Sequence, residues 1–189
     1  MAPNIPSHLP DPHAVTAILK DVADQEILPY FGKLKPVDIS QKSDKSLVTV
    51  IDPAAEALLS RRLSALWPDA SILGEEAASD DPTQLTVLDD PTKPIWVIDP
   101  LDGTANFVAE KPFFGMIVAL VLNKKTLAGW IYDIPNKRIA TAFAGQGAFI
   151  AGHRVLTGPR IGTLDRYARR LVLKRHRPCP SFLGKSLCL

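Results

Sequence analysis

Two carboxylates, a glycine and a hydroxyl lie within six residues of one another in the middle of this chain. Residues 95–107 read Ile-Trp-Val-Ile-Asp-Pro-Leu-Asp-Gly-Thr-Ala-Asn-Phe, so Asp99 and Asp102 share one tight turn. Gly103 allows the backbone to bend sharply, and Thr104 is expected to begin a helix whose first amides favour an anion. Carboxylate oxygens are ligands that Mg²⁺ prefers. The segment therefore suits a divalent cation that holds a phosphate group.

The same turn also has a purely structural interpretation. Residues 95–98 have strand propensity, and Pro100 should end the strand at Asp99 because proline has no N–H to donate. Asp-Pro and Asp-Gly pairs are common turn formers, and an aspartate after a strand often only caps the next helix. These residues alone do not distinguish a structural turn from a cation site, so the other motifs of the chain are needed.

The composition indicates a globular domain without a membrane segment. The chain has 189 residues, of which 46% are hydrophobic, enough for one sizeable domain. The longest apolar run, residues 113–122, is too short to cross a bilayer. The N-terminus lacks the charged and apolar regions of a secretory signal. Because the chain has only two cysteines, we expect no disulfide framework and a reducing, cytoplasmic location.

The charge distribution changes near Thr157. From Gly158 onward the chain has eight Lys or Arg residues and one acid, a net charge of +7. Since the whole chain carries +2, the first 157 residues carry −5. The sequence therefore predicts three regions: a disordered leader at residues 1–10, a folded lobe at 11–157 and a basic tail at 158–189.

Two helices are expected in the first third of the chain. Asp11 and Pro12 suit the cap and first position of a helix that reaches Tyr30, with apolar residues at helical spacing. A second helix is expected over residues 53–67, with Asp52 as its N-cap, which contributes about 1 kcal/mol. Both helices are amphipathic and should pack one face inward.

Short strands separated by turns fill most of the remaining lobe. The expected strands are residues 47–51, 71–73, 95–98, 113–122, 126–132, 137–143 and 148–155. The later ones are joined by short turns, as in an antiparallel sheet. Residues 77–93 are polar, acidic and rich in turn formers, so we expect a surface loop that lies over the site entrance.

Two more polar motifs precede the central turn, and each has an ordinary structural interpretation. Lys42 can be a solvated loop charge, and Asp52 can act only as a cap. Gly74 is followed by Glu75 and Glu76, and adjacent glutamates are usually a solvated surface pair.

Taken together, the three motifs resemble the inositol monophosphatase family, the lithium-sensitive, Mg²⁺-dependent sugar phosphatases. Residues 99–107 resemble that family's signature, and residues 74–76 resemble its second motif. The third motif is matched by Lys42, Val48, Thr49, Asp52 and Glu56. The resemblance covers residues 11–156 and includes the Gly-x-Gly-Ala-Phe turn at 145–149. It implies an α+β or α/β sugar-phosphatase fold, with an N-terminal helix pair packed on a large antiparallel sheet.

The resemblance also implies the roles of the site residues. Two or more Mg²⁺ ions would be held by Glu75, Asp99, Asp102 and the main-chain carbonyl of Leu101. Phosphate would be bound by the amides of Gly103 and Thr104. A water would be positioned to attack phosphorus by the catalytic residues Glu75, Thr104 and Asp52, so that no phospho-enzyme forms. Supporting residues would be Lys42, Thr49 and Asn106.

The implied function is hydrolysis of a small phosphorylated substrate such as an inositol phosphate. The same motifs serve histidinol phosphate, nucleotide 3′-phosphates and fructose bisphosphate, although Asp-Gly-Thr-Ala-Asn-Phe favours the inositol type. A homodimer is implied, while binding to a membrane or to nucleic acid is not expected. The alternative outside the enzyme class is a non-catalytic pseudoenzyme or fragment that binds a partner.

The family pattern stops near Thr157. In the family a second α/β lobe follows, with a Trp-Asp motif whose aspartate binds metal and substrate. Here Trp67, Trp96 and Trp130 are followed by Pro, Val and Ile. We therefore expect a truncated C-terminal lobe, weaker binding of the second metal and impaired activity. A shifted reading frame is the first explanation of the basic tail; an authentic truncation and a tail that recruits nucleic acid or an anionic surface are the others.

Overall fold

A computed structural model describes residues 9–42 and 45–156, and within them four α-helices and nine β-strands. The helices are α1 (Pro12–Val22), α2 (Ile51–Leu66), α3 (Glu75–Asp80) and α4 (Thr104–Val108). The strands are β1 (Ile39–Gln41), β2 (Leu47–Thr49), β3 (Ser71–Gly74), β4 (Ile95–Asp102), β5 (Gly115–Leu122), β6 (Lys125–Asp133), β7 (Arg138–Phe143), β8 (Gly147–Ile150) and β9 (His153–Val155). All belong to one compact unit, Met1–Val155. The predicted basic tail and most of the predicted leader lie outside the described residues.

The first helix begins where the sequence predicts. The carboxylate of Asp11 accepts the N–H of His13 at 2.9 Å, and Pro12 occupies the first helical position. The helical path continues through a π-helical segment, Ala23–Ile27, and a 3₁₀ turn, Leu28–Tyr30. In the described ranges every helix falls short of the length or the apolar character that crossing a bilayer requires.

The second helix begins earlier than predicted. It starts at Ile51 rather than Pro53, so the prediction that Asp52 is its N-cap is wrong. Val50 holds the cap position, and Asp52 lies in the first turn. Its carboxylate accepts both the amide and the hydroxyl of Thr49, which precede the helix. A carboxylate in the first turn also stabilises the helix through its dipole.

The main sheet has seven strands in chain order from β3 to β9. β3 and β4 are parallel, and every later neighbour pair is antiparallel. Apolar residues of α1 and α2 pack on one face, around Trp96 and Trp130, whose ring centroids lie 5.9 Å apart. On the other face, Ile131 and Ile150 remain 53% and 43% exposed. The predicted packing of helices on a largely antiparallel sheet is confirmed.

Two parts of the strand prediction are wrong. A separate two-stranded sheet pairs β1 with β2, and β1 lies outside the strands that the sequence predicts. The strand predicted over residues 148–155 is a hairpin of β8 and β9, which turns at Ala151 and Gly152. Both turn residues have positive φ, 49° and 81°, as a tight two-residue hairpin turn requires.

The surface loop predicted for residues 77–93 is mostly helical, so that prediction is wrong. Helix α3 is followed by a 3₁₀ helix, Pro82–Asp89, which begins where the side chain of Asp81 accepts the N–H of Thr83. The segment packs on the sheet through a second apolar cluster, formed by Leu73, Ala78, Ile95, Leu85, Val87, Leu88 and Val97. Burial of these apolar side chains stabilises helical structure in a segment whose composition is typical of a loop.

Candidate active site

Two parallel strands deliver the central carboxylates to the same edge of the sheet. Gly74 at the end of β3 is in register with Ile98 of β4, so the next residues, Glu75 and Asp99, emerge side by side. Their carboxyl groups lie within hydrogen-bond reach of each other. Burial, followed by the negative charges of Glu75 and Asp102, raises the pKa of Asp99 to about 8. The ionised form of Asp99 is therefore disfavoured at the strand ends unless a positive charge offsets it.

The prediction that the strand ends at Asp99 because of Pro100 is wrong. Strand β4 runs to Asp102, with a shift of register against β5 between Asp99 and Asp102. A proline is tolerated at such an irregularity because no ladder hydrogen bond is lost. The amide of Leu101 donates to the carboxylate of Asp99 at 3.1 Å. This bond holds one side of the Asp99 carboxyl group in the turn.

Gly103 forms the junction between β4 and the short helix α4. It has φ +88° and is the N-cap of α4. A Cβ at this position would lie 2.8 Å from the carbonyl oxygen of Phe113. The side-chain amide of Asn106 donates to that same carbonyl at 2.8 Å. Asn106 thus contacts the loop before β5, and the turn at Gly103 is packed against the same loop.

Asp52 connects α2 to the central turn. It is 2% exposed, and its Oδ2 atom accepts the amide and the hydroxyl of Thr49 at 2.8 and 2.5 Å. Its Oδ1 atom lies 3.0 Å from the hydroxyl of Thr104, which also lies 2.9 Å from the carbonyl oxygen of Leu101. The Thr104 hydroxyl has one proton, so it can donate a hydrogen bond to either of these two acceptors.

Replacing Thr104 by Val should destabilise the fold, because a buried oxygen of Asp52 loses its donor. We expect the free energy of unfolding to fall by about 1–3 kcal/mol, measured by urea denaturation. Thr104→Ser is the matched control, since it keeps the hydroxyl and should stay within about 1 kcal/mol of the original chain. A larger loss in Thr104→Ser than in Thr104→Val would mean that the methyl group, which valine keeps, and not the hydrogen bond, stabilises the turn.

Lys42 bridges the two adjacent glutamates. Its Nζ atom lies 2.8 Å from Oε1 of Glu76 and 3.6 Å from Oε1 of Glu75. Burial lowers the pKa of Lys42, but the hydrogen bond and negative charge of Glu76 outweigh it and leave that pKa raised. The side chain of Glu76 is 11% exposed and that of Glu75 is 43% exposed. Glu76 is thus an internal ion-pair partner, while Glu75 is open to solvent.

Glu56 is a residue of the site to which sequence reasoning gave no role of its own. It lies in α2 and is 7% exposed. Its carboxylate accepts the amide of Glu76 at 2.8 Å and that of Ala77 at 3.0 Å. The sequence contained one signal of this contact, the glycine before Glu75, because a residue without a side chain allows another chain segment to approach closely.

The oxygen atoms at this edge fit a hard divalent cation, although they do not form a closed cage. Within the described ranges, no group of three or more His, Cys, Asp or Glu side chains could hold a metal ion unaided. Asp102 is exposed at the end of β4. Glu75, Asp99 and the carbonyl of Leu101 offer oxygen ligands only, as Mg²⁺ prefers. A cation between the two carboxylates would also offset their mutual repulsion.

Comparison with known proteins gives the same assignment as the motifs. A model of the inositol monophosphatase family matches residues 11–170, a span that continues past Thr157. The chain is 35% identical over 141 residues to inositol monophosphatase 2 of Solanum lycopersicum, covering 75% of this chain and 51% of that protein. It is 36% identical over 129 residues to the Nus factor SuhB of Escherichia coli, covering 68% and 45%.

Solved structures share the fold. The suhB protein of Bartonella henselae superposes with a TM-score of 0.66 at 27% identity, covering 78% of this chain and 54% of that one. An IMPase of Thermotoga maritima superposes with a TM-score of 0.64 at 22% identity, covering 84% and 61%. The chain spans about half the length of the curated relatives it matches. With its motifs, its fold and a family match over most of its length, the chain belongs to the inositol monophosphatase family.

Proposed function

We propose that this chain carries the cation-binding and phosphate-binding residues of a Mg²⁺-dependent phosphomonoesterase of the inositol monophosphatase type. The observation that carries the proposal is the pairing of Glu75 with Asp99 at the ends of two parallel strands, beside the turn at Gly103. Several relatives are named inositol monophosphatases. The proposed substrate is therefore a small phosphorylated sugar or inositol.

In the proposed reaction, Glu75, Asp99 and the carbonyl of Leu101 would hold one Mg²⁺, and Asp99 with Asp102 would hold a second. When bound, such ions stabilise charge on phosphoryl oxygens and make water more acidic. No residue of the described turn needs to form a covalent bond with phosphorus, because water is the nucleophile.

The side chains around the cation site have separate tasks in this proposal. Glu75, whose side chain is 43% exposed, would accept a hydrogen bond from the attacking water and so help to orient it. The hydroxyl of Thr104 donates a hydrogen bond to Asp52 or to the carbonyl oxygen of Leu101, and it keeps lone pairs that can orient the water. Asp52 acts through Thr104, because its buried oxygens are already occupied. The amides of Gly103 and Thr104 would bind phosphate oxygens.

Lys42 and Glu76 support this arrangement without reacting. Both are largely buried and paired with each other. The ammonium group of Lys42 also lies 3.6 Å from Glu75, so it balances part of the negative charge beside the cation site. Asn106 and Thr49 contribute in the same indirect way, through hydrogen bonds that fix the loop before β5 and the carboxylate of Asp52.

Titration calorimetry of the whole chain with Mg²⁺ tests the proposed cation site. We expect Glu75→Gln to weaken Mg²⁺ binding by about 10-fold or more, since a neutral amide replaces a ligand. The matched control is Glu110→Gln, which changes an exposed glutamate after α4 and should leave the affinity unchanged. A chain that does not respond to Mg²⁺, or equal affinity in both variants, would contradict the proposal.

The same proteins should be assayed for phosphate release from inositol 1-phosphate. Since the described carboxylates do not form a closed cage for the ions, we expect a turnover below about 1 s⁻¹, under the usual range of enzymes. Any release that depends on Mg²⁺ and is lost in Glu75→Gln would support the proposed reaction. Release that persists in that variant would have to come from another source.

A second candidate function is a non-catalytic role in binding a partner. It is favoured by the similarity to several proteins named Nus factor SuhB, which are 36% identical over 129 residues. Under this function, Mg²⁺ binding could persist without any phosphate release. Calorimetry and the phosphate assay together therefore distinguish the two candidates.

A further inference from the structure

A buried carboxylate from α2 is bound to the start of α3, next to the proposed cation ligand. Glu56 is 7% exposed and accepts the amides of Glu76 and Ala77 at 2.8 and 3.0 Å. The first amides of a helix have no partner inside it, so the side chain supplies the acceptors they lack. The positive end of the helix dipole adds to the attraction.

The close approach of Glu56 depends on the glycine that precedes the two glutamates. A Cβ on Gly74 would lie 2.3 Å from Cδ of Glu56 and 2.4 and 2.5 Å from its two oxygens. These separations are far below van der Waals contact, so any larger residue would displace the carboxylate or the strand end. Gly74 and Glu56 therefore form one packed unit.

This unit encloses the residue that carries the proposed cation ligand. Glu75 lies between Gly74, which packs against Glu56, and Glu76, whose amide donates to Glu56. The backbone of Glu75 is thus held from both sides by one side chain, while its own side chain remains 43% exposed. From this backbone position its carboxyl group lies within hydrogen-bond reach of Asp99.

We propose that Glu56 is a positioning residue of the cation site, which fixes the start of α3 and so holds Glu75 opposite Asp99. The inference rests on the proposed function, because the importance of that position is to place a cation ligand. Glu56 would not touch the cation or the substrate. Its effect would be transmitted through the main chain of residues 74–77.

Two variants of Glu56 distinguish an effect on the position of α3 from a long-range effect of the Glu56 charge on Mg²⁺ binding. Glu56→Gln keeps the length of the side chain but presents an NH₂ group to one of the two amides. Glu56→Asp keeps the charge but is one methylene shorter, so it cannot reach both amides from the same backbone. The matched control is Asp11→Ala, which removes the cap of α1 and costs about 1 kcal/mol of stability at a different helix.

Three measurements on the whole chain test the inference: Mg²⁺ affinity by calorimetry, amide hydrogen exchange at Glu76 and Ala77 in EDTA, and the free energy of unfolding. We expect both Glu56 variants to bind Mg²⁺ about 10-fold more weakly and to exchange these amides about 10-fold faster. Asp11→Ala should lose stability while keeping the original affinity and the original exchange at both amides.

These measurements distinguish failure of the proposed function from failure of the inference about Glu56. If the original chain does not bind Mg²⁺, the proposed function fails, while the exchange data still report whether Glu56 holds α3. If the original chain binds Mg²⁺ and Glu56→Asp binds it equally well, charge alone acts and the inference is wrong. If Glu56→Gln does not fold, Gly74→Ala replaces it, since it displaces the carboxylate without removing it. Unchanged Mg²⁺ affinity in that variant would also overturn the inference.

Discussion

Asp99→Asn should abolish Mg²⁺ binding and at the same time make the cation-free protein more stable. Burial of the Asp99 side chain, followed by the negative charges of Glu75 and Asp102, raises its pKa to about 8. Its ionised form is therefore disfavoured in the folded chain unless a cation is present. Asparagine has a similar shape and cannot ionise, so it removes the unfavourable charge together with the ligand.

The gain in stability should depend on pH with a definite sign. The pKa of an aspartate is about 3.9 in an unfolded chain, so the unfolded state loses this proton first as pH rises. The stability of the original chain then falls between about pH 4 and pH 8 through this group, and Asp99→Asn escapes that loss. In EDTA near pH 8 we expect the variant to be more stable by about 1–3 kcal/mol, and near pH 4 by much less.

Urea denaturation in EDTA at these two pH values, with calorimetry in Mg²⁺, measures both effects. Asp69→Asn is the control, because it replaces an exposed aspartate in a turn and should change neither property. Loss of stability in Asp99→Asn at pH 8 would mean that the carboxylate has a favourable partner in the folded chain. Retained Mg²⁺ affinity would remove Asp99 from the proposed ligand set.

Gly103→Ala should cause the largest loss of stability among single substitutions in the turn. An alanine there would adopt φ +88°, a region that L-residues avoid at a cost of about 1–2 kcal/mol. Its Cβ would also lie 2.8 Å from the carbonyl oxygen of Phe113 and 3.3 Å from Cα of Phe114, and both are backbone atoms. Such overpacking adds about 1–3 kcal/mol. We expect the free energy of unfolding to fall by about 2–5 kcal/mol in total.

Gly32→Ala provides the matched control for this substitution. Gly32 also has a positive φ, 71°, but no atom lies within 4 Å of the added Cβ. It should therefore cost only the backbone term, about 1–2 kcal/mol. Denaturation of the two variants side by side isolates the contact with the Phe113 loop. If both lose the same stability, that loop moves away without cost, and the turn is less rigid than its packing indicates.

The helix starts show what local sequence could and could not predict. The cap at Asp11 was predicted because the residue types that begin a helix are local signals. The same reasoning was wrong for Asp52, since the helix starts earlier and its carboxylate is used by Thr49 and Thr104. The composition of segment 77–93, which is polar and rich in turn formers, predicts a loop. Contacts with the sheet nevertheless make most of it helical.

The candidate site was predictable in its residue types and less so in its contacts. Oxygen ligands beside a tight turn indicate a cation site at Asp99 and Asp102, and the family resemblance adds Glu75. Their proximity depends on the parallel pairing of β3 with β4, which no local pattern encodes. The role of Glu56 was not predictable, because it depends on how closely α2 approaches the glycine at the end of β3.

The parallel pairing of β3 and β4 has a consequence for how the protein folds. Parallel strands cannot be joined by a hairpin, and here the connection contains α3 and a 3₁₀ helix. The chain must close this loop before Glu75 and Asp99 can meet, so their contact is non-local. A chain in which β3 and β4 have not yet paired therefore lacks the paired carboxylates. Any ion that binds this edge adds its binding free energy to the cooperative unfolding of the entire lobe.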